Sequence, residues 1–247
     1  MQQAPMQQEL NALGQPVGLA LPHWKPPGLP PSEPMVGRFC RVELLDPRLH
    51  LESLHTANSL DVDGRMWTYL PYGPFATREA YSAWTEGACR GSDPLFHAIV
   101  NASTGLAIGV AGYLRIDPLI GSIEVGHLSY SPLLQRTPAA TEAMYLMMRR
   151  VFDLGYRRYE WKCHALNAPS RSAAQRLGFS FEGVFRQATV VKGRNRDTAW
   201  YATLDADWPT LKEAFGHWLD PANFDEQGKQ RVRLSALTAN RRSIPGG

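Results

Sequence analysis

A chain of 247 residues, 44% hydrophobic and 20% charged with a net charge of +3, carries enough apolar material for one core with extended termini. No apolar run is long enough to cross a bilayer, and the charge is too modest to call for a nucleic-acid partner. Three scattered cysteines, Cys40, Cys89 and Cys163, fit neither a disulfide framework nor a zinc site and point to a reducing compartment. The start, Met1-Gln2-Gln3-Ala4-Pro5, lacks the charge and apolar stretch of a signal peptide, so the expected location is cytoplasmic.

Taken in order, residues 1–36 read as an extended leader. Its stretch from Leu21 to Pro34 holds six prolines, which bar helix and sheet ladders and favour a polyproline strap along the surface. The main domain spans 37–220. Phe39 to Leu45 alternates as a strand, and Asp46-Pro47 opens a helix through Leu49, Leu51, Leu54 and Ala57. Thr77 caps a second helix containing Tyr81 and Trp84. Leu95–Val100 and Leu106–Ile116 form a hairpin around Asn101-Ala102-Ser103-Thr104-Gly105. Near the end, Phe185–Val191 and Asp197–Leu204 flank the turn Lys192-Gly193-Arg194-Asn195. Residues 221–247, with Lys229, Arg231, Arg233, Arg241 and Arg242 and little apolar matter, read as a basic, solvated and flexible tail.

The most informative stretch lies between. Ile123-Glu124-Val125-Gly126-His127-Leu128-Ser129-Tyr130 is a strand that turns through Ser131-Pro132 and Gln135-Arg136-Thr137-Pro138-Ala139-Ala140-Thr141-Glu142-Ala143 into a helix. A second strand, Arg158 to Cys163, opens through Asn167-Ala168-Pro169-Ser170 into a short helix and Leu177-Gly178-Phe179. A strand that runs into a helix N-terminus aims free backbone N–H groups at an anion. Strands paired antiparallel at the front and joined by helices in the middle predict an α/β fold with a mixed sheet.

Glu124-Val125-Gly126, Ala140-Thr141-Glu142-Ala143, Asn167-x-x-Ser170, Leu177-Gly178-Phe179 and Glu182-Gly183, in this order, resemble the GNAT acetyltransferases, and within them the Rim-type branch that acetylates ribosomal-protein N-termini. The resemblance covers about Gly37 to Trp208. It implies a mostly antiparallel mixed sheet with splayed central strands flanked by helices, acetyl-CoA as cosubstrate, and an amine acceptor on a peptide N-terminus or a small molecule. The protein would act as a monomer or homodimer. It further implies that Gln135, Arg136, Thr137, Ala139, Ala140 and Thr141 bind the pyrophosphate. Pro138 stands where the family usually has glycine; it removes one donor but suits the first helical turn, leaving the N–H groups of Thr137, Ala139, Ala140 and Thr141 open. Asn167 and Ser170 would meet the pantetheine arm, unless Asn167 only caps its helix, and Arg171 would reach the phosphates.

Glu124 is the expected base, with His127 as second candidate. Regular alternation puts 124 and 127 on opposite faces, so both can serve only across a bulge. The tyrosine that many GNAT members use toward the CoA thiolate is replaced by Ala174, which leaves Ser129, Tyr130 or water. Cys163 reads as a buried inert thiol. Trp67, Tyr69, Tyr72 and Tyr130 are expected to contact the acceptor, with Arg186 and the hairpin Gly193-Arg194-Asn195-Arg196-Asp197 closing the other wall. Two other readings stay open: an acyl-CoA-binding sensor with little turnover, suggested by Pro138 and Ala174, and an interaction protein built on the same scaffold.

Overall fold

The first four α-helices each start on a residue whose side chain satisfies an otherwise orphaned N–H. In the computed structural model, which describes residues 8–239, α1 (Pro47–Asn58) follows Asp46, whose Oδ1 accepts from Arg48 N at 2.9 Å. α2 (Arg78–Ala88) is capped by Thr77, α3 (Pro138–Asp153) by Thr137 and α4 (Ala168–Arg176) by Asn167. α5 (Trp208–Leu219) and the short α6 (Leu234–Ala239) complete the set. These caps use the residues that compete best for helix N-termini, which is why the sequence announced the starts.

The strands are β1 (Glu9–Leu10), β2 (Pro16–Val17), β3 (Met35–Val36), β4 (Cys40–Leu44), β5 (Leu95–Asn101), β6 (Ala107–Asp117), β7 (Ser122–Tyr130), β8 (Arg158–His164), β9 (Ser180–Val191) and β10 (Arg194–Leu204). β1 and β2 form a small exposed hairpin by themselves. The other eight make one sheet in the order β3-β4-β5-β6-β7-β8-β10-β9, antiparallel throughout except for the parallel pair β7–β8. One core lies where α3 and α5 cover the sheet, around Tyr113, Met147, Tyr159 and Phe215. A second, around Leu54, Trp67, Tyr81 and Phe96, lies under α1 and α2.

The parallel pair is the feature that positions the site. Its register runs from Ser122↔Arg158 to Val125↔Trp161 and then stops, although β7 continues to Tyr130 and β8 to His164. Between Gly112↔Gly126 and Val110↔Ser129, β7 carries two residues against one on β6. That extra residue is a bulge, and His127 occupies it at φ +52°. A bulge bends and twists its strand, so the end of β7 departs from β8 and the sheet opens at its centre.

Glu142 joins the layers. Buried in α3, it accepts backbone N–H bonds from Arg38 (2.8 Å), Phe39 (2.6 Å) and Cys40 (2.9 Å). A carboxylate with several N–H donors makes strong charge-assisted bonds, and Gly37 leaves it room, since a Cβ there would lie 2.4 Å from the carboxylate.

In the leader, the Arg157 guanidinium lies 5.6 Å from the Trp24 ring centre, and Arg150 Nη1 donates to Pro31 O and Glu33 O. The tail departs from expectation. Through residue 239 it is folded onto the domain, not solvated. Phe224 packs edge-on against Phe39 and Trp218, Asn223 Nδ2 donates to Trp218 O and its Oδ1 accepts from Val232 N, and Thr238 Oγ1 donates to Arg176 O. A few well-placed anchors, including the buried Leu234, outweigh a polar average composition. Arg241 and Arg242, like Met1 to Pro5, lie outside the described residues.

Candidate active site

The base candidate Glu124 sits on β7 opposite Glu160 of β8, at the last stretch before the strands part. It is 3% exposed, a burial that no lone carboxylate tolerates. Its Oε2 accepts from Lys162 Nζ at 3.0 Å and Arg115 Nη1 at 2.7 Å. Lys162 also meets Glu160 at 2.7 Å, and Arg158 bridges Glu160 and Glu182 at 2.6 and 2.5 Å. The result is a ladder of alternating charge along one face of β8, with Lys162 Nζ 3.8 Å from the centre of the Trp200 ring. Burial pushes the Glu124 carboxyl upward, and the cations of Lys162 and Arg115 pull it back. A carboxylate held this way is available to a proton without being free to move. Lys162 was not singled out in the sequence; its i, i+2 alternation with Glu160 and Arg158 is the pattern that could have found it.

The bulge sets His127 against the aromatic wall. Its ring stacks on Tyr72 at 5.6 Å and 8°, and lies 5.1 Å from Phe96. Its Nδ1 is buried without a protein partner. Burial, reinforced by the Arg115 and Arg196 charges, lowers its pKa to about 4, so the imidazole is neutral at physiological pH. The condition for Glu124 and His127 to act together, an intervening bulge, is met. Buried His97 is likewise lowered to about 4 by desolvation. Both folded values lie below the ordinary 6.5, so the stability these rings contribute is whole above that pH and is lost as pH falls toward 4. The melting midpoint should drop across this window, and His127→Asn should flatten the drop. An unchanged slope in the variant would assign the acid sensitivity to other groups.

The residues expected to contact an acceptor occupy different places in and around the aromatic wall. Trp67 is 4% exposed, with Tyr72, Phe75 and Tyr81 around its ring; it supports the wall rather than facing a ligand. Gly73 is required beside it at φ +64°, where a Cβ would lie 2.6 Å from the indole. Tyr72 is the residue that reaches His127. Tyr69 crosses the opening: its ring lies 5.2 Å from His164 and its hydroxyl donates to Leu166 O at 3.3 Å. At the tip of the β9–β10 hairpin, Lys192 Nζ donates to Trp67 O at 2.9 Å. The segment joining α1 and α2 therefore spans the gap between β7 and β8. Arg186 is exposed on β9, within electrostatic reach of Asp197. Tyr130 lies on the α3 side, not in this wall: it packs against the core under α3, close to the Cys40 thiol and the Arg176 guanidinium, and its hydroxyl is buried without a partner. It points away because successive strand residues alternate faces.

At the α3 end, Gln135 Nε2 donates to Tyr130 O at 2.7 Å, and Arg136 is exposed at φ +62°. Two of the N–H groups expected to be open are engaged: Thr137 N donates to Leu134 O at 3.2 Å and Ala140 N to Thr137 Oγ1 at 3.3 Å. A helix that caps itself closes part of its own anion site. Ala139 and Thr141 remain in the first turn. The sequence reading missed Arg176, half-buried, whose Nη2 donates to Thr141 Oγ1 at 2.7 Å and adds positive charge to the turn. On α4, Asn167 Oδ1 accepts from Ser170 N at 3.1 Å and Ser170 Oγ from Trp161 Nε1 at 3.1 Å, so Asn167 is a cap whatever else it binds. Arg171, expected near the phosphates, donates to Tyr201 Oη and Ala165 O and lies over the face of Phe181. Ala174 is fully buried core. Burial raises the Cys163 thiol, in keeping with an inert side chain.

This geometry can be set beside known proteins. The sequence pattern of the acetyltransferase (GNAT) domain matches residues 41–180. A GCN5-related N-acetyltransferase from Brucella melitensis is 46% identical over 89% of this chain and 100% of its own, with a TM-score of 0.87. The chain belongs to the GNAT acetyltransferase family. A GNAT-family acetyltransferase from Chromobacterium violaceum is 38% identical over 79% of this chain and 98% of its own, with a TM-score of 0.74. The acetyltransferase from Salmonella typhimurium that modifies the N-terminal serine of ribosomal protein L7/L12 is 21% identical over 70% of this chain and 99% of its own, with a TM-score of 0.59, a likeness of fold alone. Among curated proteins none matches this chain. The eight-stranded sheet opened at β7–β8 is thus the GNAT sheet, and this GNAT protein is an acetyl-transferring enzyme. Among the described residues no helix is long and apolar enough to cross a membrane.

Proposed function

We propose that this enzyme moves an acetyl group from acetyl-CoA to a primary amine that attacks the thioester directly. The observation that carries the reading is the parting of β7 from β8 between a helix N-terminus on one side and the ion-paired Glu124 on the other. The chain's own groups fit such a cosubstrate. Ser129 Oγ and Tyr130 OH, on the end of β7 that has parted from β8, are buried without protein partners, and such groups call for a partner. The first turn of α3 with Arg136 and Arg176 suits phosphates, and Asn167 with Ser170 suits amides.

Acetyl-CoA supplies an activated acyl group when bound. The neighbouring residues do the rest. Glu124 receives the proton that leaves the attacking nitrogen, while Lys162 and Arg115 hold its carboxylate in place. His127, neutral and fixed by Tyr72, offers a polar contact at the same opening. Tyr130, kept protonated because burial pushes its phenol well up, donates a hydrogen bond toward the departing sulfur in the role that Ala174 cannot fill. Acetyl-CoA binding only the folded chain should add about 2.7 kcal/mol at a hundredfold excess over its dissociation constant, read as a rise in the melting midpoint. No rise at saturation would remove the reading. A rise without thiol release in the presence of any amine would favour the acyl-CoA sensor that a buried Ala174 also allows.

A further inference from the structure

We infer that the acceptor of this enzyme carries a carboxylate near its amine, and that Arg196 reads it. This rests on the transfer reading above and names the acceptor's chemistry. The charge ladder sets three carboxylates, Glu182, Glu160 and Glu124, against three cations, Arg158, Lys162 and Arg115, with the inner members shared between neighbours. The nearby Asp93 is turned onto the backbone N–H groups of Arg115 and Ile116, at 2.9 and 3.0 Å. Arg196 is left over. It is half-buried on β10, its Nε donates to Thr198 Oγ1 at 3.3 Å, and among the described residues no carboxylate closes on it.

Its place on the strand makes the surplus meaningful. Thr198 and Trp200 follow Arg196 at two-residue steps, so all three share a face, and Trp200 on that face lies over Lys162, which holds Glu124. Arg196 is close enough to influence both Glu124 and His127. Trp200 Nε1 adds a second donor that is buried and unpartnered. A partly desolvated guanidinium with no carboxylate of its own favours a planar anion that can take two bonds. With Glu124 as the acidic group and Arg196 as the basic one, the face complements an amine and a carboxylate on one molecule. A free α-amino acid has this chemistry, and so has a peptide N-terminus followed by an acidic residue.

Binding to the CoA-loaded protein, measured by calorimetry with acceptor pairs that differ in one charge, tests this. Alanine is compared with alaninamide, and the tripeptide amide Ser-Asp-Ala with Ser-Asn-Ala. In the wild type the carboxylate member of at least one pair should bind on the order of tenfold tighter or more, as a charge-assisted hydrogen bond allows. The pair that shows it identifies the source. Arg196→Gln should bring the ratio near one, and Arg196→Lys should keep part of it, with the melting point and CoA affinity reporting that each variant folds. Equal binding within both pairs, or a preference that survives Arg196→Gln, overturns the inference. Thiol release is scored separately with the wild type. A charge preference without release would leave Arg196 as the reader and remove the transfer reading, whereas release without a preference would do the reverse.

Discussion

Glu142→Ala should be strongly destabilising, although Glu142 lies close to the turn proposed to hold phosphates. Its carboxylate takes the N–H groups of Arg38, Phe39 and Cys40, and no other group is placed to take them. One buried and two part-buried donors left without the carboxylate cost on the order of 3 kcal/mol, which in a domain of this size lowers the melting midpoint by about 10 °C. Thermal unfolding followed by circular dichroism measures it. A fall of only a degree or two would mean that water replaces the carboxylate and that α3 is held by its apolar face alone. The same contact restricts Gly37, because any side chain there meets the carboxylate.

Glu124→Gln should leave the fold and CoA affinity in place and lower the rate by about 10²-fold, the usual span for a positioned base. Lys162 keeps Glu160 as a partner at 2.7 Å, so the substitution does not strand a buried cation. The loss should be greater for a lysine-type amine than for an α-amine. Near neutral pH an α-amine is roughly 10% neutral while a lysine is a few hundredths of a per cent neutral, so the lysine depends more on a base. In the variant the low-pH limb of the pH–rate profile should disappear. A near-wild-type rate across pH would make Glu124 an anchor for Lys162 and Arg115, and leave proximity to carry the reaction.

Much of this molecule was legible in its sequence because the signals were local. Asp46-Pro47, Thr77, Thr137 and Asn167 each mark a helix start through a bond within three residues, and Asn101 to Gly105 marks the hairpin within five. What was not legible depended on distant partners or on a break in periodicity. The Glu142 clamp joins residues more than 100 apart, and helical spacing shows only an acidic residue in the second turn of a helix. The bulge at His127 is invisible because nothing requires a non-glycine residue to take φ +52°; strict alternation placed 124 and 127 on opposite faces. Aromatic composition singled out Trp67, Tyr69 and Tyr72 together but could not separate Trp67, which is buried among other rings, from Tyr72, which meets His127. The tail after Pro221 looked soluble by composition and was folded by a few residues, Phe224, Asn223 and Leu234, whose partners lie elsewhere in the chain.

The central claim is that the opening between β7 and β8 brings an acyl thioester to an amine beside Glu124. Thiol release from acetyl-CoA, measured against α-amines, lysine-type amines and carboxylate-bearing amines with the acetylated product weighed by mass spectrometry, tests it most directly. Thiol and acetylated amine should appear in equal amounts, faster for α-amines than for lysine-type amines, and at a rate that falls about 10²-fold in Glu124→Gln. Thiol release with no acetylated amine in any class, or saturable acetyl-CoA binding with no release at all, would contradict it.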